Sequence, residues 1–202
     1  MTLLFDLDGT LVDSRAVVER QWRLLCERLG LDFSEVLAVL HGVRSSDVIR
    51  AFAPGSDVEA EAAALDAAEE ADTDGLVVVR GAPELLARLP GGSWGIVTSG
   101  HRTLAEGRLR SAGLPVPDVM VCGDEVSAGK PDPEGYLAAA GLLGAAPAGC
   151  VVVEDAPAGV QAGLAAGMRV IGITTTHAAA ALVGASAVID DLRGLEAALA
   201  TL

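Results

Sequence analysis

The chain has 202 residues, of which 51% are hydrophobic, and its formal net charge at pH 7 is −14. This composition excludes a disordered chain, and the length suits one mid-sized domain or a core with a small inserted module. The acidic balance argues against a nucleic-acid partner, because phosphate backbones bind basic surfaces. No apolar run approaches the roughly 18 residues that span a bilayer, so no membrane segment is predicted.

The N-terminal segment MTLLFDLDG meets two acidic residues almost at once and has no basic leader. It lacks the pattern of a secretory signal, and we therefore expect a cytoplasmic protein. Cys26, Cys122 and Cys150 are far apart, and each lies in an apolar stretch. Buried reduced thiols are expected at these positions, rather than a zinc site or a disulfide framework.

Short β-branched runs alternate with helical patterns along most of the chain. The runs are Leu3–Phe5, Gly95–Thr98, Val119–Cys122, Val151–Val153 and Val170–Ile173. This alternation predicts parallel strands joined by crossover helices, and continuous runs such as CVVV are typical of strands buried on both faces. The predicted fold class is α/β, with a Rossmann-like open parallel sheet and helices on both of its faces.

Residues 14–71 break the alternation, because their pattern is helical throughout. A first helix is predicted from four apolar residues that share one face: Val18, Trp22, Leu25 and Leu29. Gly30 would end this helix, and Ser34 would cap a second helix that runs through Leu40. Residues 57–71 are rich in Ala and Glu and predict a third helix, with its acidic side in solvent.

The helical insertion divides the chain into two parts. We predict an α/β catalytic core formed by residues 1–13 and 81–202, and a small α-helical cap formed by residues 14–80. A module of this size is within the normal range for a small domain or subdomain.

The strongest chemical signal follows the first strand and reads FDLDGTLVDS, residues 5–14. Asp6 and Asp8 are spaced i, i+2, so their side chains point the same way from an extended strand end. This end is where open α/β sheets bind ligands, and Gly9 permits a tight turn. Two close carboxylates call for a hard cation, Mg²⁺ first. A turn with capping acids would explain a bare D-x-D, but the full string is far more specific.

At these residues the chain resembles the haloacid dehalogenase superfamily, and the resemblance runs over essentially the whole length. It implies that Asp6 attacks phosphorus and becomes an aspartyl phosphate. It also implies that Asp8 protonates the leaving alcohol and then activates the hydrolytic water. Members that cleave carbon–halogen bonds generally lack the second Asp, so its presence favours phosphoryl transfer.

Two of the family's later positions are a hydroxyl and a lysine. The resemblance implies that Ser99, in Thr98-Ser99-Gly100, donates to a phosphoryl oxygen, while Gly100 supplies an exposed amide. The next residue, His101, is expected to begin a helix. Lys130, in a loop bracketed by Gly129 and Pro131, would neutralise phosphoryl charge; taken alone, it could be a surface lysine before a helix.

The last position is a second strand that ends in carboxylates, Glu154 and Asp155. Adjacent residues point to opposite sides of a strand, so only one should face the metal directly. The family pattern gives that role to Asp155, with Glu154 acting through water or in support, beside Asp6 and the Asp8 carbonyl. The alternative is that Asp155 caps a helix that starts near Pro157.

The cap supplies the candidate specificity residues. His41-Gly42-Val43-Arg44 follows a helix and would form a loop over the site, where Arg44 could grip a phosphate or sugar oxygen. His41 could donate to a substrate hydroxyl. The resemblance adds Gly42 and Thr10 to the substrate-binding set. Without the family, His41 and Arg44 could equally be surface or cap-packing residues.

The motifs LHGVRSSD, TSG and GKPDPEGY together resemble the branch of sugar-phosphate and glycerol-3-phosphate phosphatases that includes 2-deoxyglucose-6-phosphate phosphatase. The implied function is Mg²⁺-dependent hydrolysis of small sugar or polyol phosphates, and we expect a monomer or weak dimer. Phosphoglycolate phosphatase is one alternative. A β-phosphoglucomutase-like mutase is another, but it typically carries a cap histidine where this chain has Val18. A third is a metal-binding regulator without catalysis on the same fold.

Overall fold

A computed structural model describes all 202 residues. The strands are β1 (Thr2–Phe5), β2 (Val12–Asp13), β3 (Val77–Val78), β4 (Trp94–Val97), β5 (Met120–Val121), β6 (Cys150–Glu154), β7 (Arg169–Ile173) and β8 (Ala187–Ile189). The helices are α1 (Arg15–Leu29), α2 (Phe33–Leu40), α3 (Ser45–Phe52), α4 (Val58–Ala71), α5 (Ala82–Leu86), α6 (Arg102–Ser111), α7 (Glu134–Leu142), α8 (Pro157–Ala165) and α9 (Leu195–Leu199).

Six strands form one parallel sheet in the order β5-β4-β1-β6-β7-β8. The first strand therefore lies in the centre, between β4 and β6, and the carboxyl ends of these three strands are adjacent. The predicted α/β class and parallel sheet are confirmed. The edge strand β8 was not predicted: Ala187–Ile189 is apolar but only three residues long, and it is only partly buried at the edge of the sheet.

The sheet is buried on both faces because successive side chains along each strand enter different cores. Phe5 and Val153 lie in one hydrophobic core, with Trp94 edge-on to Phe5 at 6.1 Å between ring centroids. Leu4 and Val152 point to the opposite side and enter a second core beneath α7 and α8. This double burial explains the unbroken apolar runs in the sequence.

The four helices α1 to α4 lie between β2 and β3, which pair antiparallel as a two-stranded ribbon. These helices have their own hydrophobic core, to which Trp22 and Leu25 of the predicted α1 face contribute. Gly30 ends α1 in the left-handed conformation, with φ of 68°, as predicted. The β2–β3 ribbon was not predicted: Val12–Asp13 is only two residues long, and the apolar run Leu76–Val79 around β3 was not recognised as a strand.

The predicted start of the second helix was wrong. Asp32, not Ser34, caps α2, because its side chain accepts a hydrogen bond from the Ser34 backbone N–H at 2.8 Å. The segment after it forms a separate helix, α3, which the sequence pattern did not distinguish.

The three cysteines are free and buried, as expected. None of the nine helices has the length and hydropathy needed to cross a membrane.

Candidate active site

Three charged side chains meet at the carboxyl ends of the central strands. The Lys130 ammonium donates to Asp6 Oδ1 and to Glu154 Oε1, both at 2.6 Å, and to the Val97 carbonyl at 3.1 Å. All three side chains are at most 5% exposed. Burial lowers the pKa of Lys130, but the carboxylates of Asp6 and Glu154 more than offset this and raise it well above its ordinary value. Lys130 is therefore a fixed cation beside Asp6.

Glu154 is occupied by protein donors on both oxygens. The Tyr136 hydroxyl donates to Oε1 at 3.0 Å, beside Lys130. The backbone N–H groups of Asp155 and Ala156 donate to Oε2 at 3.0 and 3.1 Å. Glu154 thus orients Lys130 and the end of β6, and its predicted part in metal binding stays a prediction.

Three buried carboxylates, those of Asp6, Glu154 and Asp155, lie close together at this site, and Lys130 is the cation that pairs with two of them. Oxygens of Asp6, Glu154 and Asp155 lie within 4.8 Å of one another, and Asp155 Oδ1 is buried without a hydrogen-bond partner. Burial raises the pKa of Asp6 to about 8, with Glu154 and Asp8 adding repulsion against the opposing effect of Lys130. Burial and repulsion from Asp6 and Glu154 likewise raise the pKa of Asp155. An unpaired oxygen in an all-carboxylate donor set fits a hard divalent cation.

Asp155 does not cap the helix that follows it. Ala156 occupies the capping position of α8, and no side chain bonds to the first turn. Gly9 approaches Asp155 instead: a Cβ atom at Gly9, whose φ is 87°, would lie 2.0 Å from Asp155 Oδ2. The glycine in the first motif therefore provides both a positive-φ turn and the space for this carboxylate.

Asp8 is held on one oxygen by two donors. Ser14 Oγ donates to Oδ1 at 2.8 Å, and Arg108 Nη1 contacts the same oxygen at 2.6 Å. Arg108, on α6 of the core, also binds Glu69 Oε2 of the cap at 2.5 Å. Burial raises the pKa of Glu69 to about 7 although Arg108 opposes this. The prediction that the acidic side of α4 faces solvent was wrong for Glu69, because the tertiary fold buries it against Arg108.

A cavity of ≈ 60 Å³ lies between the strand ends and the cap. Of the predicted residues, it is lined by Asp6, Asp8, His41, Gly42, Ser99 and Gly100. The cavity also has lining residues that sequence reasoning missed: Ser14, Arg15, Ser45, Asp66, Glu69, Thr98, Arg108 and Thr176. Three of the predicted residues are buried and do not line the cavity: Lys130, Glu154 and Asp155. Lys130 is connected to the cavity by its hydrogen bond to the lining residue Asp6.

The two hydroxyls that follow β4 have different partners. Ser99 Oγ donates to the Gly42 carbonyl of the cap loop at 2.8 Å. Thr98, which is 4% exposed and lines the cavity, accepts from the Gly100 N–H at 3.1 Å, and its own hydroxyl donates to no protein acceptor. The Thr98 hydroxyl is therefore free to donate, whereas the Ser99 hydroxyl, which the sequence interpretation chose as the phosphoryl donor, is bound to the cap loop; the role of Ser99 stays a prediction.

Arg44 and Thr10 do not line the cavity. The Arg44 guanidinium pairs with Asp47 on its own helix at 2.6 Å and donates to the Val126 carbonyl of a core loop at 3.1 Å. Arg44 thus links cap and core outside the cavity, and no contact here supports its expected grip on a sugar oxygen. Thr10 is fully buried, and its hydroxyl has no partner.

His41 lies in the cavity wall, packed edge-on against His177 with ring centroids 5.9 Å apart. Burial, together with the charges of His177 and Arg15, lowers the pKa of His41 to about 4. A neutral imidazole is therefore available for hydrogen bonding at neutral pH. His101 begins α6 as expected, since its Nδ1 accepts from the Leu104 N–H at 3.2 Å.

Known proteins resemble this chain in sequence and in fold. The model of the haloacid dehalogenase-like hydrolase family matches residues 1–167. The chain is 49% identical to hexitol phosphatase A of Escherichia coli (strain K12) over 175 residues, covering 84% of this chain and 81% of that protein. It is 38% identical to 2-deoxyglucose-6-phosphate phosphatase 1 of Saccharomyces cerevisiae (strain ATCC 204508 / S288c), covering 94% and 87%. The crystal structure of a hydrolase from Pseudomonas syringae superposes with a TM-score of 0.88 at 27% identity, covering 100% and 99%. The chain therefore belongs to the haloacid dehalogenase-like hydrolase family, as its motifs predicted.

Proposed function

We propose that this chain is a Mg²⁺-dependent phosphatase that hydrolyses sugar or polyol phosphates through an aspartyl phosphate on Asp6. The observation that carries the proposal is the buried Asp6 carboxylate, held by Lys130 on Oδ1. The hydrogen bond from Lys130 goes to Oδ1, and no protein group donates to Oδ2. One oxygen is thus anchored and the other is free to attack a phosphorus atom in the adjoining cavity.

The reaction would proceed in two displacements at phosphorus. Asp6 Oδ2 forms the new P–O bond while the ester P–O bond breaks, and Asp8 gives its proton to the departing alcohol oxygen. Asp8 then takes a proton from water as that water attacks the aspartyl phosphate, which releases phosphate and restores Asp6. Lys130 and the Thr98 hydroxyl would neutralise or bind the phosphoryl oxygens in both steps.

Asp6, Asp155 and the Asp8 carbonyl are the groups proposed to hold Mg²⁺, with Glu154 in support. The unpartnered Asp155 Oδ1 and the excess of buried carboxylate support this assignment. When bound, the cation would neutralise negative charge around the transferred phosphoryl group.

The cap side of the cavity favours a neutral, hydroxyl-bearing leaving group. Asp66 brings an acid to this wall that no cation pairs with, together with the Ser45 hydroxyl, which donates to Asp66 at 2.8 Å; Glu69 on the same wall is paired with Arg108. Arg15, the nearby cation, is paired with Asp13 through two hydrogen bonds at 2.9 and 2.7 Å. Acids and hydroxyls suit the hydroxyl groups of a sugar or polyol, whereas a second carboxylate, as in phosphoglycolate, would be repelled.

The mutase alternative lacks its required group in this cavity. Val18 lies in the wall at the position where the mutase resemblance calls for a cap histidine. A valine side chain can neither hold nor release the Asp8 carboxylate by hydrogen bonding. The similarity to hexitol phosphatase A and to 2-deoxyglucose-6-phosphate phosphatase 1 supports hydrolysis of polyol and sugar phosphates instead.

The test is a phosphate-release screen with purified protein, with Mg²⁺ and with excess chelator. The panel contains hexitol, hexose and glycerol phosphates, phosphoglycolate and β-glucose 1-phosphate. We expect the hexitol or hexose phosphates to give the highest kcat/KM, and chelator to abolish turnover. A preference for phosphoglycolate, conversion of β-glucose 1-phosphate to its 6-phosphate, or full activity in chelator would contradict the proposal. Magnesium binding without any turnover would favour the non-catalytic regulator.

A further inference from the structure

Arg108 is a buried cation whose place in the cavity the motifs do not explain. It lies on α6, is 4% exposed and contributes to the cavity wall. A buried guanidinium is costly unless it is paired, and removing one partner of such a pair leaves an uncompensated charge. Its two partners, Asp8 and Glu69, come from the core motif and from the cap. Arg108 therefore joins three separate parts of the chain.

The contacts at Asp8 are asymmetric. Ser14 Oγ and Arg108 Nη1 both approach Oδ1, at 2.8 and 2.6 Å, and no protein donor contacts Oδ2. Two donors from different elements fix the plane of a carboxylate, because a single donor would allow it to rotate about its bond to Cβ. Oδ2 is thus the oxygen left to carry a proton between the carboxyl group and the leaving alcohol.

The same guanidinium connects Asp8 to the position of the cap. Arg108 Nη2 contacts Glu69 Oε2 on α4 at 2.5 Å, and both side chains are at most 6% exposed. This contact needs α4 packed against α6, as it is in this structure. The guanidinium fork can hold both carboxylates at once, which a lysine ammonium could not do with the same geometry.

We propose that Arg108 is the positioning residue of the acid–base group. With Ser14 it sets the orientation of Asp8, and through Glu69 it ties that orientation to the packing of α4 against α6. This inference rests on the proposed phosphatase function. The step affected is departure of the alcohol, in which the ester P–O bond breaks, Asp6 binds phosphorus and the Asp8 proton moves to the alcohol oxygen.

Leaving groups of different basicity separate positioning from a structural role. An alkyl phosphate needs the proton from Asp8, whereas p-nitrophenolate leaves readily without one. The measured quantity is kcat/KM, since it reports phosphoryl transfer to Asp6 and not the later hydrolysis that both substrates share. General acid catalysis contributes about 10²- to 10⁴-fold. We therefore expect Arg108→Gln to lower kcat/KM for a hexitol phosphate about 100-fold, and for p-nitrophenyl phosphate less than about 5-fold.

Three further variants sharpen the test. Arg110→Gln removes an exposed arginine from the same helix and should leave both substrates unchanged. Arg108→Lys keeps the charge without the fork, so it should restore only a small part of the loss. Ser14→Ala removes the other Asp8 donor without touching the Arg108–Glu69 pair, and should show the same leaving-group dependence on a scale of about 5- to 10-fold.

Equal losses on the two substrates in Arg108→Gln would overturn the inference and leave Arg108 with a structural role only. Arg108→Lys, which keeps the buried charge, decides the question by the same comparison of the two substrates if Arg108→Gln does not fold. A wild-type protein that hydrolyses neither ester would instead remove the proposed function itself, and the two failures are thus distinguishable.

Discussion

The two walls of the active-site cavity differ in how they are built. The strand-end wall places Asp6 directly after β1, with Lys130 and Glu154 bound to one another behind it. The cap wall takes Glu69 from a helix and pairs it with Arg108 of the core. Neighbouring parallel strands bring their ends together wherever the sheet forms, whereas the cap wall depends on how helices pack. In the proposed function, the first wall would meet the phosphoryl group common to all substrates, and the second would meet the leaving group.

The largest effect is expected from Asp6→Asn on the strand-end wall. Loss of the nucleophile should lower turnover at least about 10³-fold on every phosphate ester, because no covalent intermediate can form. Steady-state rates on a hexitol phosphate and on p-nitrophenyl phosphate measure this, with circular dichroism as the control for folding. A folded Asp6→Asn protein that keeps most of its rate on either ester would rule out the aspartyl phosphate.

Lys130→Met should have the second-largest effect on turnover, and this effect should not depend on the leaving group. Loss of a charged donor beside the transferred group costs about 10²- to 10³-fold in comparable sites. The ratio of kcat/KM between the two esters should stay within about 3-fold of wild type, since both present the same phosphoryl group. A loss of activity confined to one ester would contradict the proposal that the strand-end wall contacts only the phosphoryl group. The substitution leaves the carboxylates of Asp6 and Glu154 without their cation. As a control, the rates are therefore measured with Mg²⁺ present and on protein shown to be folded.

On the cap wall, His41 should make stability sensitive to acid. Its pKa falls from an ordinary 6.5 to about 4 in the folded protein, mainly through burial. The unfolded chain therefore takes up the proton first, and stability present above pH 6.5 is lost as the pH falls toward 4. Between about pH 7.5 and pH 5 this amounts to about 2 kcal/mol. Urea unfolding measures the free energy of unfolding at both pH values. The decrease from pH 7.5 to pH 5 should be smaller in His41→Asn than in wild type by that amount. An equal decrease in the two proteins would contradict a buried, neutral His41.

The choice between the two hydroxyls after β4 predicts a smaller difference. Thr98→Val should lower kcat/KM about 10-fold on both esters, the worth of one hydrogen bond to a charged oxygen. Ser99→Ala removes a bond to the cap carbonyl of Gly42 and should cost less than about 3-fold. The reverse order of the two losses would restore Ser99 as the phosphoryl donor that its motif suggested.

Arg44→Ala should have the smallest effect on catalysis. Its contacts are Asp47 and core-loop carbonyls outside the cavity, so we expect a loss of about 1 kcal/mol in unfolding free energy. The kcat/KM ratio between a hexitol phosphate and p-nitrophenyl phosphate should change less than about 3-fold. A selective rise in KM for the hexitol phosphate would move Arg44 back into substrate binding and weaken the contrast between the walls.

The sequence by itself determined the sheet and the wall at its strand ends. Unbroken apolar runs are typical of strands buried on both faces, and the acids at the ends of β1 and β6 follow such runs directly. Asp6 could be located because strand geometry is local: two residues' spacing sets the direction of their side chains. At the end of β6 the same geometry indicated only that one of Glu154 and Asp155 faces the site, and the family resemblance chose Asp155. Of the strands that were missed, β3 and β8 lie in the short apolar runs Leu76–Val79 and Ala187–Ile189 but are partly exposed, and β2 is only two residues long.

Only the tertiary structure decided the cap wall. Arg108 and Glu69 are 39 residues apart in the chain, and nothing near either predicts that they pair in the interior. The sequence placed Glu69 on a solvent-exposed helix face. Helical periodicity shows which residues share a face of one helix, but not which other element packs against that face. Arg44 failed to reach the cavity for the same reason, since its side chain is directed by Asp47 and a core loop. Side-chain partners brought together by packing have no local signal, so these contacts emerge only when the helices are in place.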